Sequence, residues 1–322
     1  MARSIAELRQ FVMSSSQYNR DWLKPDDAFG WMIVAKIMGP FFATIVLLPH
    51  FVALGFGPVA IPISYILLGI YGYKMTFVLH ETCHNSLFAT VDINRLVGTV
   101  AGYITGTKYE IFRDIHMLHH RCNGTADDPQ LEDFLGHEYP LTRTRVKHHI
   151  MQRLYCGDLL SFLAHYFPFV PKSWRKEHRY QNTAVLPQNT IGFYVGVVAM
   201  QVMIALLITN FLRYPLLALL FPLSAVFLSL FLTRIRACAE HMRTNDIVEK
   251  DFSRSHRPNG FDRFFFYDAN FNYHLEHHIF PHMPACNLPK FSQTFEPHIH
   301  DSRTLGHSIT KTILAMVRQL PV

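Results

Sequence analysis

Charge is missing from two long stretches of this 322-residue sequence. Between Ile37 and Tyr73 there is no Asp, Glu, Lys or Arg, and between Asn189 and Thr233 the one charge is Arg213. A bilayer core of roughly 30 Å needs about 20 apolar residues per helix, so each stretch is long enough for two crossings joined by a tight turn. Uncharged runs of that length argue against core helices of a soluble protein. A cleavable signal peptide is not expected either: Met1 to Asp27 is polar and mixed in charge, and the first apolar run is too long. Cysteine is sparse. The five residues Cys83, Cys122, Cys156, Cys238 and Cys286 form no Cys-x-x-Cys pair, which fits reduced thiols facing a cytosol rather than a disulfide framework. Internal repeats and low-complexity segments are also lacking. The net charge of +6 comes with no nucleic-acid motif, so nucleic acid is not expected as a partner. A basic face toward anionic lipid headgroups is the simpler reading.

What is present organises the chain into an all-α membrane protein with four transmembrane helices in two hairpins. A cytosolic N-terminal segment (1–30) leads into the first hairpin (31–79), which turns near Pro49 to Pro58. A cytosolic or interfacial segment (80–190) follows, then the second hairpin (191–233), which turns near Asn210 to Pro215, and then a cytosolic tail (234–322). Four crossings put both termini and the central segment on one side. The segment from His80 to Thr190 carries twelve Lys plus Arg, against Arg213 alone in the two opposite turns. That asymmetry puts the polar segments, and both termini, in the cytoplasm. Leu96 to Thr107 and Leu159 to Val170 are apolar but too short to span, and are expected in the interface or as a shallow re-entry.

Histidine is abundant, and its spacing carries the chemistry. His80-Glu-Thr-Cys-His84 follows the first hairpin, His116-Met-Leu-His119-His120 lies in the central segment, Glu240-His241 follows the second hairpin, and His274-Leu-Glu-His277-His278 lies in the tail. Residues three and four apart share a helix face, so each cluster offers its imidazoles on one side. Imidazole suits Fe, Zn, Cu or Ni, which leaves the metal open, and His-Glu-x-x-His by itself also fits a zinc-protease helix. Two copies of His-x-x-His-His in one chain point to a metal site built from several segments. In the four-crossing arrangement all four clusters fall on the same side of the bilayer.

HETCH, HMLHH and HLEHH, with the flanking NYHLEHHIFPHMP, resemble the three histidine boxes of the membrane fatty acid desaturase and hydroxylase superfamily, and AEH matches a position where it often supplies one more ligand. The resemblance runs from about His80 to Pro284. It implies a four-helix membrane fold with a cytosolic cap, two iron ions, O₂ as co-substrate and an acyl-chain tunnel. Its ligands would be His80, His84, His116, His119, His120, His241, His274, His277 and His278, with no catalytic residue separate from them.

Glu81, Asp114, Glu240 and Asp268 are candidates to orient those imidazoles from outside, as metal-binding histidines usually require. Asn270 and Asn272 are candidates to reach the metals directly or through water. His137, His148 and His149 lack box spacing and read as solvated, while His282 follows the Phe280-Pro281 turn and is either a supporting or a packing residue. Lys108, Arg113 and Arg121 are candidate contacts for an acyl head group. Val97 to Thr107 is expected to line the acyl tunnel. The expected activity is desaturation of a fatty acyl lipid, CoA or carrier thioester. Hydroxylation, or decarboxylation to a terminal alkene, is the alternative, and a histidine-rich metal transporter a more distant one. The chain carries no haem-binding extension, Cys₄ iron–sulfur set or GxGxxG fingerprint, so electrons are expected from a separate ferredoxin, rubredoxin or cytochrome b5 with its reductase. Membrane lipid is the expected surroundings, in a bacterial inner membrane or the endoplasmic reticulum.

Overall fold

The computed structural model describes residues 4–135, 141–152, 190–243, 252–300 and 304–321. The stretch Leu159 to Val170, together with His137 and Cys156, lies outside the described residues. Within them the fold is mostly helical, with a two-residue parallel strand pair, β1 (Ser255–His256) and β2 (Leu305–Gly306).

Helix α1 (Ile5–Ser14) opens with a capping box: Ser4 Oγ accepts from the Glu7 N–H, and the Glu7 carboxylate accepts the Ser4 N–H at 2.7 Å. Then come α2 (Asp27–Ala53) and α3 (Gly57–Cys83), joined by a turn of Leu54 to Phe56 in which Gly55 takes φ +86°. The turn is shorter than the prolines suggest, because Pro40, Pro49 and Pro62 all lie inside helices. Within α2 the Thr44 hydroxyl donates back to the Pro40 carbonyl, four residues earlier, at 2.7 Å. Helix α3 also runs on through Cys83, so His80 stands in its last turn rather than after it.

Helix α4 (Val91–Thr105) covers most of the short apolar stretch Leu96 to Thr107 and ends on Gly106 at φ +72°. It buries Val97, Gly98, Ala101, Gly102 and Ile104, packing on α3 and the neighbouring helices. Helices α5 (Tyr109–Cys122), α6 (Arg143–Met151) and α7 (Ile191–Ile208) follow, then α8 (Pro215–His241), which begins with a 3₁₀ turn and contains a π segment at Ala225–Ser229. The tail forms α9 (Gly260–Phe265), α10 (His274–Ile279), α11 (Leu288–Ile299) and α12 (Ile309–Gln319).

Helices α2, α3, α7 and α8 are each long and apolar enough to cross a membrane. Their outward side chains agree: Leu47, Ile63 and Val195 are 49%, 51% and 62% exposed, a surface suited to lipid and costly in water. Both α2 and α8 pack on α3, while α7 packs on α2 and α4 and meets α8 chiefly at its 3₁₀ start. The second pair therefore does not close on itself as the first does. Gly69 lets α8 come close to α3, since a Cβ there would sit 2.6 Å from Leu228, and Ser229 Oγ donates to the Gly69 carbonyl at 2.7 Å.

Helix α1 folds back onto the tail. Leu8 and Val12 pack with Leu275, Ile279 and Phe291, each worth about 2 kcal/mol of burial, and Arg9 Nε donates to the Ile279 carbonyl at 2.7 Å. The N-terminal segment and the tail consequently lie at the same end of the four long helices, the end that carries the histidines. The described cysteines Cys83, Cys122, Cys238 and Cys286 are free thiols.

Candidate metal centre

All nine histidines singled out in the sequence converge. His80 and His84 come from the end of α3, His116, His119 and His120 from α5, His241 from the end of α8, and His274, His277 and His278 from α10. They sort into adjoining groups. In the first, ring nitrogens of His80, His84, His116, His120 and His277 lie within 4.8 Å of one another. In the second, His119, His241 and His278 meet the same limit, as do Glu240, His241 and His274. The groups touch through His120 and His278, whose ring centroids are 4.4 Å apart.

The nitrogens face each other. His120 Nε2 is 3.0 Å from both His116 Nε2 and His277 Nε2, and His274 Nε2 is 2.7 Å from His241 Nε2 and 3.2 Å from His278 Nε2. His80 Nε2 and both nitrogens of His84 are buried without a hydrogen-bond partner. Beyond the long helices, burial first and neighbouring imidazoles second keep the rings neutral: His84 is pushed down to about 3 chiefly by burial, with His282 adding to it. His116, His120, His274, His277 and His278 are lowered well below the ordinary value for the same first reason. A neutral, partnerless imidazole is a lone pair awaiting a cation, so the donor set fits metal ions well.

Outer partners fix the ring orientation. His80 Nδ1–H donates to Glu81 at 3.1 Å, and Glu81 is held in turn by the Ser86 hydroxyl at 3.0 Å and the Ala285 N–H at 3.2 Å. His119 Nδ1–H donates to Asp128 at 2.9 Å, which also accepts the Gln130 and Gly124 N–H groups. Burial works against the Asp128 charge, but His119 and the Gln130 N–H outweigh it and hold the carboxyl below its usual range. His241 Nδ1–H donates to the Phe252 carbonyl at 3.2 Å. Each of these bonds leaves the other ring nitrogen turned inward. Within α10, Glu276 accepts from His300 at 2.9 Å and from Ser255, and these bonds lower its pKa despite burial. Aromatic rings close the site: Phe112 stacks on His116 at 5.7 Å, Phe134 lies tilted against His241 at 5.0 Å, and Phe271 meets His80 at 4.5 Å.

The other candidates go to different places. Glu240 is inside the second group instead of behind it, with Oε2 3.7 Å from His274 Nε2. Asp114 pairs with Arg113 at 3.1 Å on the outer side of α5. Two residues along a helix turn about 200°, so Asp114 points away from the face that carries His116. Asp268 is bound by buried Lys74 at 2.7 Å and by Lys36. Asn270 Nδ2 donates to the Ala285 carbonyl at 2.9 Å, and Asn272 Nδ2 to the His256 carbonyl at 3.1 Å. Asp268 and Asn270 thereby anchor a turn in which Ala269 and Asn270 have φ +50° and +58°, a strain of order 1 kcal/mol or more each. That turn delivers Phe271 and then α10 to the metal groups.

Arg113 and Arg121 are exposed, and Lys108 is a half-buried residue capping the start of α5. His148 is exposed, but His149 is buried, against the expectation that both are solvated: its Nε2 is 3.0 Å from the Asp133 carbonyl, and Arg234 lies beside it. His282 Nδ1–H reaches the His84 carbonyl at 3.3 Å, which makes it a support of the first box. In α4, Gly98 and Gly102 are contact points rather than open wall. A Cβ on Gly98 would sit 2.4 Å from the Tyr109 ring, and one on Gly102 2.4 Å from the Thr107 carbonyl oxygen. Sequence reasoning misses Asp128. Its only sequence signal is an acidic pair, Asp127-Asp128, close after the second box.

Curated proteins give no match to the chain. The family model described as fatty acid desaturase matches residues 56–307, spanning all three histidine boxes and His241, and the chain belongs to that family.

Proposed function

We propose that this chain is an O₂-dependent membrane oxidoreductase that holds two irons and introduces a C=C bond into a fatty acyl chain. The observation that carries the reading is the adjoining pair of buried histidine groups, whose ring nitrogens crowd together and, at His80 Nε2 and His84, have no hydrogen-bond partner. One iron would be held by His80, His84, His116, His120 and His277, the other by His119, His241, His274 and His278. When bound, the irons supply O₂ activation and removal of hydrogen from an unactivated carbon. Reducing O₂ to two waters takes four electrons and four protons: breaking two C–H bonds of the acyl chain to form C=C gives two of each, an external carrier gives the other two electrons, and the medium the other two protons.

The chain's own residues do the rest. Glu81, Asp128 and the Phe252 carbonyl hold the Nδ1–H protons of His80, His119 and His241, keeping the opposite nitrogens free for metal. Phe112, Phe134 and Phe271 keep bulk water from the rings. Arg113 and Arg121 offer exposed cations for an acyl head group or for an acidic ferredoxin, rubredoxin or cytochrome b5.

The reading includes four crossings in two hairpins. The segments 1–30, 80–190 and 234–322 then form a cap on the cytoplasmic side of a bacterial inner membrane or the endoplasmic reticulum. The contact of α1 with α10 and the excess of Lys and Arg in 80–190 support it. The histidines gather at the ends of α3 and α8, and His50 of α2 stands exposed and apart, which weighs against a transport site inside the spans.

The test is purification in nanodiscs with a reconstituted electron donor, metal analysis, and mass spectrometry of acyl products. Two irons per chain and a product lighter by two hydrogens are expected. An added oxygen would replace desaturation with hydroxylation, and a terminal alkene one carbon shorter would replace it with decarboxylation. Full activity with stoichiometric zinc and no iron would overturn the di-iron reading.

A further inference from the structure

Arg236 lies on α8, one turn before Glu240, with Nη1 3.7 Å from Glu240 Oε2. Its guanidinium carbon is 5.1 Å from the Phe77 ring, 5.6 Å from Phe271 and 5.9 Å from Tyr73. Tyr73, Phe77 and His80 occupy one face of α3, and Phe271 touches His80, so this boxed cation sits directly beside the histidine groups. Arg236 Nε and Nη1 and Glu240 Oε1 are all buried without hydrogen-bond partners.

A buried cation next to a site for two more cations is unfavourable unless something offsets it. Glu240 supplies the negative charge, but at 3.7 Å it does so without a direct hydrogen bond. The same Oε2 is also 3.7 Å from His274 Nε2, and the carboxylate belongs to the ligand-distance group with His241 and His274. A buried carboxylate oxygen with nothing to accept from is costly unless it is protonated or a cation completes it, and the site for a second cation lies beside it. Among the described residues the first group at ligand distance is histidine alone, so the two sites differ in kind.

We propose that Glu240 is an oxygen ligand of the second metal, and that Arg236 is the positioning residue that aims it there. The planar guanidinium fork attracts the carboxylate by charge across 3.7 Å and so biases the side chain toward the second group. The rings of Tyr73, Phe77 and Phe271 fix the fork in turn by cation–π contact. The two metals then sit in unlike shells, nitrogen alone in one and nitrogen with oxygen in the other.

The proposal rests on the di-iron reading, and the test separates the two. ⁵⁷Fe-loaded full-length protein in nanodiscs is examined by iron count and Mössbauer spectroscopy as wild type, Glu240→Gln, Arg236→Lys and Arg236→Met. Wild type should hold two irons in two distinct doublets; wild type without two irons overturns the di-iron reading and this proposal with it. Glu240→Gln should drop toward one iron per chain, losing one doublet and leaving the other unmoved. Arg236→Met should weaken the same site by about 10- to 100-fold in metal affinity, as loss of an orienting partner does, and Arg236→Lys should restore part of it. Two irons and unchanged doublets in Glu240→Gln overturn the proposal, as does an equal disturbance of both doublets in Arg236→Met. Where Glu240→Gln yields no monodisperse protein, Arg236→Met and Arg236→Lys decide the matter: one doublet lost in the first and regained in the second supports the proposal, and spectra identical to wild type overturn it.

Discussion

The first histidine group draws four of its five rings from two helical pairs, His80 with His84 on α3 and His116 with His120 on α5. The second takes one ring from α5, one from α8 and two from α10, and adds Glu240. Their outer partners differ in the same way. Glu81 is the sequence neighbour of the ring it holds, whereas Asp128 and Phe252 lie nine and eleven residues beyond theirs. A group made of i,i+4 pairs is half built once its helices form, because helical geometry brings the rings together before any tertiary contact. The second group has one such pair, His274 with His278, and its remaining members join only after α5, α8 and α10 have docked. The second group should therefore be the one more sensitive to residues that touch no metal.

The largest effect should come from the ring at which the two groups touch. His120 contacts His116 and His277 through Nε2 and lies against His278 of the second group. His120→Ala should abolish product formation, and His277→Ala should do the same, with membrane insertion unchanged because neither lies in a long apolar helix. His148 is exposed on α6, and His148→Ala should stay within about two-fold of wild type, as surface substitutions usually do. Equal losses in all three variants, measured as product per membrane-inserted protein, would mean that burial and spacing have picked the wrong histidines.

Asp128→Asn should sharpen the contrast by acting on one group alone. It removes the charge that holds His119 Nδ1–H while keeping the shape, and it should weaken metal binding in the second group by about 10- to 100-fold. Iron titration should reveal one tight and one weakened site, and two equally weakened sites would dissolve the distinction between the groups.

The same contrast explains how much of the site is legible in the sequence. Box spacing marks candidate ligand residues because i,i+3 and i,i+4 positions share a face whatever the rest of the chain does, and the nine histidines converge accordingly. Long uncharged runs mark the four long helices for an equally local reason. Asp114, Asp268, Asn270 and Asn272 are marked only by nearness in sequence, and nearness in sequence says little about direction. Asp114 is rotated off the face of His116. Asp268 is drawn to Lys74 and Lys36, and the two asparagines spend their amides on the Ala285 and His256 carbonyls. Asp128, the Phe252 carbonyl and Arg236 are out of reach of such reasoning because each acts across a tertiary contact that no periodicity encodes.

The smallest expected effect concerns a histidine that belongs to neither group. His256 on β1 is 2% exposed, its Nδ1 is 2.9 Å from the Tyr267 hydroxyl, and Nε2 has no partner. Burial, aided by the charge of Arg254, holds its pKa down to about 3 from an ordinary 6.5. For a base with a lowered folded pKa, the unfolded chain takes up the proton first as pH falls. Stability is then complete above about 6.5 and is lost as pH drops from there toward 3, at up to about 1.4 kcal/mol per pH unit. Between pH 7 and pH 5 this one ring should cost about 2 kcal/mol. His256→Gln should melt slightly below wild type at pH 7 and lose correspondingly less on acidification. The clustered histidines are buried too, so the informative quantity is the difference between the two pH-induced shifts in Tm, measured in the same metal-loaded nanodiscs. Identical shifts in wild type and variant would mean that a protonated His256 is accommodated in the fold, and that neutrality by burial is a property of the metal groups alone.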